Sequence, residues 1–203
     1  MPEAAAPAPA RATATIACDD YGVKPILETD RLRLRPFARD LSDLDALHAI
    51  QSDAEHMRYY PHPFSLAESR AWIERRLADY EDQGYSLWAV EDRATGEFLG
   101  NVGPVHQLVD GSDELELGWI ITPSRARQGI ATEAARACRD WCFAELKVDH
   151  LIALVRPQNE PSRGVAEHVG MTVWKETVYG SMGWTHLVYR VDRDQLRPGA
   201  GGS

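Results

Sequence analysis

Residues 114–135, ELELGWIITPSRARQGIATEAA, decide the fold, because a strand, a basic loop and a helix follow one another there without a gap. Apolar and polar residues alternate up to Trp119, as in a half-buried strand. Helical spacing of apolar residues then begins, over 128–146. A helix N-terminus leaves backbone N–H groups without partners, and its dipole favours anions. Gly129 and Ala131 leave room there for phosphate oxygens, so the stretch is either an anion-binding loop or a bare turn.

The pattern on either side of this stretch predicts an α+β domain. Alternating or continuously apolar runs predict strands, and apolar residues at helical spacing predict helices. A polar loop is expected at 106–113, between two strands. The order of elements predicts a mixed, mostly antiparallel sheet with helices on both faces. The predicted strands are 31–37, 85–92, 97–105, 114–122, 150–157, 171–180 and 184–191, and the predicted helices are 40–50, 65–81, 128–146 and 161–170.

The composition suits one globular domain. The 203 residues are 44% hydrophobic and carry a net charge of −9, and no apolar run is long enough to span a bilayer. Residues 1–24, rich in Ala, Pro and Thr, predict a disordered arm without the pattern of a signal peptide. Residues 196–203 predict a disordered tail, so the folded domain is expected at 25–195.

Charge and cysteine content argue against several classes of protein. Because no dense Lys/Arg cluster occurs, the chain is not expected to bind nucleic acid, and no membrane partner is expected either. A negative chain suits an amine-bearing substrate. The three cysteines are too few for a disulfide framework, so a cytoplasmic location is expected. Cys138 and Cys142 are interpreted as small core residues of one helix, and no metal is expected because no metal-ligand spacing occurs.

Several segments in the same order resemble the GNAT N-acetyltransferases, particularly their RimJ/RimL-type branch, which acetylates protein N-terminal amines. Gly129 and Ala131 stand at the small positions of that family's acetyl-CoA-binding loop. Asn159 and Ser162 match its Asn-x-x-Ser helix motif, and the segments LETDRLRLRPF and GEFLGNVG match its opening strand and central hairpin. The resemblance covers about residues 27–192.

The resemblance implies a GNAT fold, with about six to seven strands and splayed central strands, and a reaction. The reaction is the direct transfer of acetyl from acetyl-CoA to an amine in a ternary complex, without a metal. Two loop residues, Ala126 and Arg127, depart from the Gln/Arg and Gly that relatives often have there. The residues implied to bind acetyl-CoA are Trp119, Ile120, Ile121, Thr122, Arg127, Gln128, Gly129, Ile130, Ala131, Thr132, Asn159 and Ser162.

The catalytic residues are expected in the same segments. Glu116 is preferred as the base, with Glu114 as the alternative, because both precede the acetyl site on one strand face and relatives often use a carboxylate there, directly or through water. The Ser162 hydroxyl is expected to approach the departing thiolate. Tyr179 is an alternative acid, and His186 could reach the substrate. Each residue is also compatible with a purely structural role.

The acceptor is predicted to be an amine-bearing small molecule or a protein N-terminus. Tyr59, Tyr60 and Phe64 lie between the first two helices, where relatives form a substrate-facing loop, and are predicted to shape the acceptor pocket. The chain is expected to be a monomer or a homodimer. The alternative function is a GNAT-fold module that binds acyl-CoA as a sensor or partner protein with little catalysis, and the presence of Glu116 and Ser162 favours the enzyme. A nucleotide phosphotransferase is disfavoured, because no Mg²⁺-binding acidic pattern accompanies the loop.

Overall fold

A single sheet organises residues 26–196, the part of the chain that the computed structural model describes. The strands pair in the order β1-β2-β3-β4-β5-β6-β8-β7, and every pair is antiparallel except β5 with β6. The predicted arm, 1–24, lies outside the described residues, as does the predicted tail apart from its first residue. The strands are β1 (Leu27–Glu28), β2 (Leu32–Arg35), β3 (Trp88–Asp92), β4 (Phe98–Val109), β5 (Ser112–Ile121), β6 (His150–Val155), β7 (Thr172–Tyr179) and β8 (Trp184–Asp192).

Helices cover both faces of the sheet, as predicted. α1 (Leu44–Gln51) and α2 (Leu66–Gln83) pack on one face in a cluster around Phe37. α3 (Ile130–Trp141) and α4 (Glu160–His168) pack on the other face, over the largest hydrophobic cluster. Short helical turns complete the set: 3-10 turns at Pro123–Arg125 and Arg193–Leu196, and a π-helical turn at Cys142–Leu146. No helix of the described chain combines the length and the apolar character needed to cross a bilayer.

Local sequence signals account for several helix ends. Ser65 and Glu68 form the capping box at the start of α2, each side chain accepting from the other residue's backbone N–H. Gly170 follows α4 with φ 88°, a conformation that suits glycine after a helix. Cys138 and Cys142 are both fully buried, which confirms them as core residues.

The predicted polar loop at 106–113 is wrong, because these residues continue the sheet. β4 runs on to Val109 and β5 begins at Ser112, so the connection has two residues. Asp110 and Gly111 both have positive φ, 50° and 82°. Asp-Gly is a favoured pair for such two-residue hairpin turns, because its backbone twist matches that of the strands. The sheet also has eight strands, the addition being the short β1.

The central strands diverge, and this creates space for a ligand. β5 and β6 run parallel and pair only at Glu116 and Ile152. Beyond that pair, the residues of β5 have no strand partner on the β6 side within the described chain. On β6, the Leu154 N–H donates to the Glu116 carboxylate at 3.2 Å instead of to a strand. Gly100 lets β4 lie close to the diverging end of β5, since a Cβ there would be 2.1 Å from the Ile120 carbonyl oxygen.

Candidate active site

The space between β5 and β6 opens into a cavity of about 440 Å³. Its walls come from both faces of the sheet: the loop between α1 and α2 on one side, the start of α4 on the other, and the β7–β8 turn. The proposed base, thiolate partner and acceptor-loop residues therefore line one cavity. The predicted residues that line it are Tyr59, Tyr60, Phe64, Glu116, Trp119, Ile120, Asn159, Ser162, Tyr179 and His186.

Glu116 is held in the cavity by two hydrogen bonds. The Gln107 side-chain N–H donates to its Oε2 at 2.8 Å, and the Leu154 N–H donates to its Oε1. Burial raises the pKa of Glu116 above its ordinary value, while these two hydrogen bonds act in the opposite direction. The Tyr179 hydroxyl donates to the side-chain oxygen Oε1 of Gln107, and the side-chain Nε2 of Gln107 faces Glu116. The result is a fixed carboxylate with a raised proton affinity.

Glu114, the alternative base, has a different environment. It does not line the cavity, and only 8% of its surface is exposed. Its Oε2 lies 2.7 Å from His150 Nε2. This contact joins the start of β5 to the start of β6, where the two strands come together. The geometry therefore favours Glu116 as the residue that faces a reacting amine.

Two tyrosines and a histidine share the cavity with Glu116. Tyr60 is 41% exposed as a whole, but the surroundings of its hydroxyl are buried. This burial first, and the charge of Glu116 second, raise the pKa of Tyr60 to about 12. The pKa of Tyr179 is also raised, by the same causes in the same order. Burial lowers the pKa of His186, whose ring stands edge-on to Tyr179 with centroids 5.7 Å apart. At neutral pH the tyrosines are therefore protonated and His186 is neutral.

At the start of α4, Asn159 caps the helix, and the Ser162 hydroxyl is left for another partner. The Asn159 side-chain oxygen accepts from the Ser162 N–H at 3.2 Å and caps the helix. Within residues 26–196 the Ser162 hydroxyl makes no hydrogen bond, so it is not consumed by the cap. Its oxygen is therefore available to a ligand in the cavity.

The loop before α3 has the backbone conformation of an anion site. Gly129 precedes the helix with φ 77°, and Arg127 has φ 60° at the position where relatives often have glycine. The Glu133 N–H is the first in α3 to donate back along the helix, to the Gly129 carbonyl oxygen at 2.9 Å. The N–H groups of Ile130, Ala131 and Thr132 therefore remain free of helical partners.

A side-chain clamp holds this loop against the first strands. The Arg31 guanidinium donates to the Gln128 carbonyl oxygen at 3.0 Å and to Glu133 Oε2 at 2.6 Å. Burial opposes the ionised form of Glu133, but hydrogen bonds from Thr29 and Arg31 outweigh it and lower its pKa. An open groove beside the clamp is lined by Arg127, Gly129, Thr132 and Arg136, among others. This groove lies where a pyrophosphate would meet the helix N-terminus, so the residues present fit acetyl-CoA.

The other residues predicted to bind acetyl-CoA differ in which of their groups a ligand can reach. Ile130 packs in the core at 6% exposure, so only its backbone can contact a ligand. Ile121 packs against the same cluster. The Thr122 N–H donates to the Leu99 carbonyl oxygen, and the Thr122 carbonyl oxygen accepts from the Arg125 N–H. Its N–H is therefore engaged within the protein, and a contact of Thr122 with acetyl-CoA stays a prediction for its remaining polar groups. Arg125 forms an ion pair with Glu97, which precedes β4. The positive charge of Arg125 is therefore directed at Glu97 and not at a phosphate in the loop.

Several residues of the site were not predicted from the sequence. Gln107 fell in the segment interpreted as a loop, and the Asp-Gly turn signal would have placed it on a strand. Asn101, on β4, and Arg156, after β6, also line the cavity. Arg156 stands between the apolar strand and the Asn-x-x-Ser motif, but no local pattern shows which way it points. Among the described residues no three His, Cys, Asp or Glu side chains form a group that could hold a metal.

Comparison with known proteins identifies the family. A family model described as an acetyltransferase (GNAT) domain matches residues 31–172. The uncharacterized protein YkkB of Bacillus subtilis (strain 168) is 38% identical over 146 residues, 71% of this chain and 84% of YkkB. Spermidine N(1)-acetyltransferase of Escherichia coli (strain K12) is 25% identical over 150 residues, 73% of this chain and 76% of that enzyme. The crystal structure of an acetyltransferase from Agrobacterium tumefaciens str. C58 is 32% identical, with a TM-score of 0.72, and the match covers 86% of this chain and 98% of that one. The chain therefore belongs to the GNAT acetyltransferase family, and it is an N-acetyltransferase whose acetyl donor is acetyl-CoA.

Proposed function

We propose that this enzyme transfers acetyl from acetyl-CoA directly to a primary amine, with both substrates bound at once. The observation that carries the proposal is Glu116, a fixed carboxylate with a raised pKa in a cavity that also contains the unbonded Ser162 hydroxyl. An amine must lose a proton to complete acyl transfer, and a positioned carboxylate accepts that proton directly or through one water. The acceptor is a small-molecule amine or a protein N-terminus, as in a RimJ/RimL-type enzyme.

The reaction then assigns a task to a few residues of the cavity. The amine nitrogen forms a bond to the thioester carbon, and the carbon–sulfur bond breaks. Glu116 takes the proton from the nitrogen, and the Ser162 hydroxyl donates a hydrogen bond to the departing thiolate. Backbone N–H groups near 118–120, on the unpaired side of β5, stabilise the developing oxyanion. Tyr179 acts through Gln107, as a positioning residue for Glu116.

The cofactor's two ends are assigned to different parts of the fold. We place the pantetheine arm beside Trp119 and Ile120, where β5 has no strand partner on its β6 side, with Asn159 on the opposite side. We place the pyrophosphate on the free N–H groups at the start of α3, next to Gly129 and Arg127. We also propose a cytoplasmic location, since Cys138 and Cys142 are free thiols, and a monomer or homodimer.

Free CoA thiol released in the presence of an amine panel tests this proposal. The panel contains peptides with free N-termini, polyamines and amino acids, and mass spectrometry identifies the acetylated product. We expect amine-dependent thiol release and an N-acetylated product. Tight acetyl-CoA binding without turnover of any amine would instead favour a binding module with little catalysis.

A further inference from the structure

Arg156 is an unusual cation, because its guanidinium is partly buried without an anion. It follows β6 directly and lines the cavity. Its Nε and Nη1 atoms are buried and have no hydrogen-bond partner. The guanidinium carbon lies 4.1 Å from the centre of the Trp184 ring, which fixes the group by cation–π contact. No ion pair among residues 26–196 involves Arg156.

Two other partly buried arginines of the described chain each have a carboxylate partner. Arg35 contacts Asp43 at 2.7 Å and Glu91 at 2.6 Å. Arg76, which lines the same cavity, has an ion-pair partner in Asp79 at 2.9 Å, although its buried Nε makes no hydrogen bond. A buried charge without a partner is costly, so it is retained where a ligand supplies the partner. Arg156 is the cavity guanidinium, within the described chain, that lacks such a carboxylate.

The polar groups of the cavity show an excess of unmatched donors. Asn101 is 2% exposed, and its side-chain N–H group has no partner. On the acceptor side, Gln51 Oε1 is unmatched. Glu116 already accepts two hydrogen bonds, and His186 is neutral because burial, and secondarily the charge of Arg156, lower its pKa. A ligand that matches this cavity must therefore bring hydrogen-bond acceptors with negative charge.

We propose that the acceptor is a small amine that carries a carboxylate, and that Arg156, stacked on Trp184, binds this carboxylate while the amine faces Glu116. This inference rests on the proposed acetyl transfer, since it names the substrate class of that reaction. The planar guanidinium can give a carboxylate two parallel hydrogen bonds. A polyamine, in contrast, brings only positive charge to a cavity that already contains Arg156 and Arg76.

The test compares each amino acid with its own carboxamide, using the full-length protein and release of CoA thiol. The panel spans chain lengths from glycine to 5-aminopentanoate and includes leucine and phenylalanine, with spermidine and a short peptide as further arms. We expect the preferred carboxylate to exceed its carboxamide in kcat/KM by about tenfold or more, the effect of a charge-assisted hydrogen bond. In Arg156→Gln the kcat/KM values for the carboxylate and its carboxamide should become equal, and the Kd for acetyl-CoA should stay unchanged.

A matched control and a binding measurement complete the test. Arg76→Gln removes a cavity cation that Asp79 already compensates, so it should preserve the preference for the carboxylate. Arg156→Lys keeps the charge without the planar fork and should retain part of the preference. Calorimetry of the N-acetylated carboxylate product with CoA present measures the same contact without catalysis, and thermal melting verifies that each variant is folded.

Three results would overturn the inference. Equal kcat/KM for the acid and its amide would show that no carboxylate is recognised. Preferred turnover of spermidine or the peptide, unaffected by Arg156→Gln, would assign another acceptor class. Weakened acetyl-CoA binding in Arg156→Gln would assign this residue to the cofactor. In contrast, carboxylate binding that depends on Arg156 without any turnover would support this site and refute the proposed reaction.

Discussion

Glu116 shows how the environment of one residue sets its chemistry. Burial disfavours its charged form and raises its pKa above the ordinary 4.5, while hydrogen bonds from Gln107 and the Leu154 N–H limit the rise. A carboxylate with a raised pKa is a stronger base than an exposed one. The same shift lowers the free energy of unfolding as the pH rises from below 4.5 through the raised pKa, because the native state holds its proton longer than the unfolded chain.

Replacing Glu116 with Gln removes the base but keeps an oxygen that can accept from the Leu154 N–H. We expect kcat to fall by about 10²-fold or more, the usual contribution of a general base, with little change in the acetyl-CoA Kd measured by calorimetry. Glu114→Gln is the matched control: it weakens the contact with His150 and lowers the melting temperature, but turnover persists. If the Glu116→Gln variant turned over as fast as the wild-type enzyme at every pH, the base would have to be another residue.

Replacing Gln107 with Ala removes a hydrogen bond that lowers the pKa of Glu116. We expect the pKa to rise further, and since the base works deprotonated, the acidic limb of the kcat/KM profile should move to higher pH. Tyr179→Phe frees only the far end of Gln107 and should cause a smaller shift in the same direction. A limb that stays in place or moves to lower pH would show that Gln107 does not tune the base.

The helices and strands could be predicted from the sequence more fully than the residues that come together in the cavity. Each predicted helix and strand is present, because apolar periodicity reports burial directly. The segment 106–113 was misassigned because its polar residues lie on an exposed part of a hairpin, where polarity does not distinguish strand from loop. Asn159 and Ser162 could be predicted because they belong to a motif. The positions of Gln107, Asn101 and Arg156 in the cavity could not be predicted, since the divergence of β5 and β6 creates that cavity.

Gly129→Val tests the loop element before α3. The residue has φ 77°, where a β-branched side chain is strained, and its new Cβ would lie 3.5 Å from Arg31 Nη2 beside the free N–H groups. We expect a large loss of acetyl-CoA affinity in calorimetry, because the side chain blocks the approach of the pyrophosphate. Gly96→Val has the same backbone conformation, φ 74°, in the β3–β4 turn with open space around it. That control should lower stability alone, so equal effects of the two variants on affinity would contradict the assignment.

At the scale of the whole molecule, a buried ion network joins α1 to the sheet. Arg35 binds Asp43, which is 6% exposed, and Glu91 on β3. Arg35→Met leaves two carboxylates without their cation, and we expect a loss of about 3–5 kcal/mol in the free energy of unfolding. Urea denaturation measures it. Arg33→Met, on the same strand with an exposed partner, Glu28, should cost about 1 kcal/mol or less. Similar losses in both variants would show that the network adds nothing beyond a surface pair.

The divergence of β5 and β6 has a consequence for the order of events in catalysis. The cavity is lined from both faces of the sheet, by the α1–α2 loop on one side and the start of α4 on the other, so we expect it to admit a ligand from each side. The amine and the thioester can then arrive from opposite directions, and neither has to leave before the other binds. The fully buried thiols of Cys138 and Cys142 offer no place to store an acetyl group between two half-reactions. Double-reciprocal plots of initial rates should therefore intersect and not run parallel.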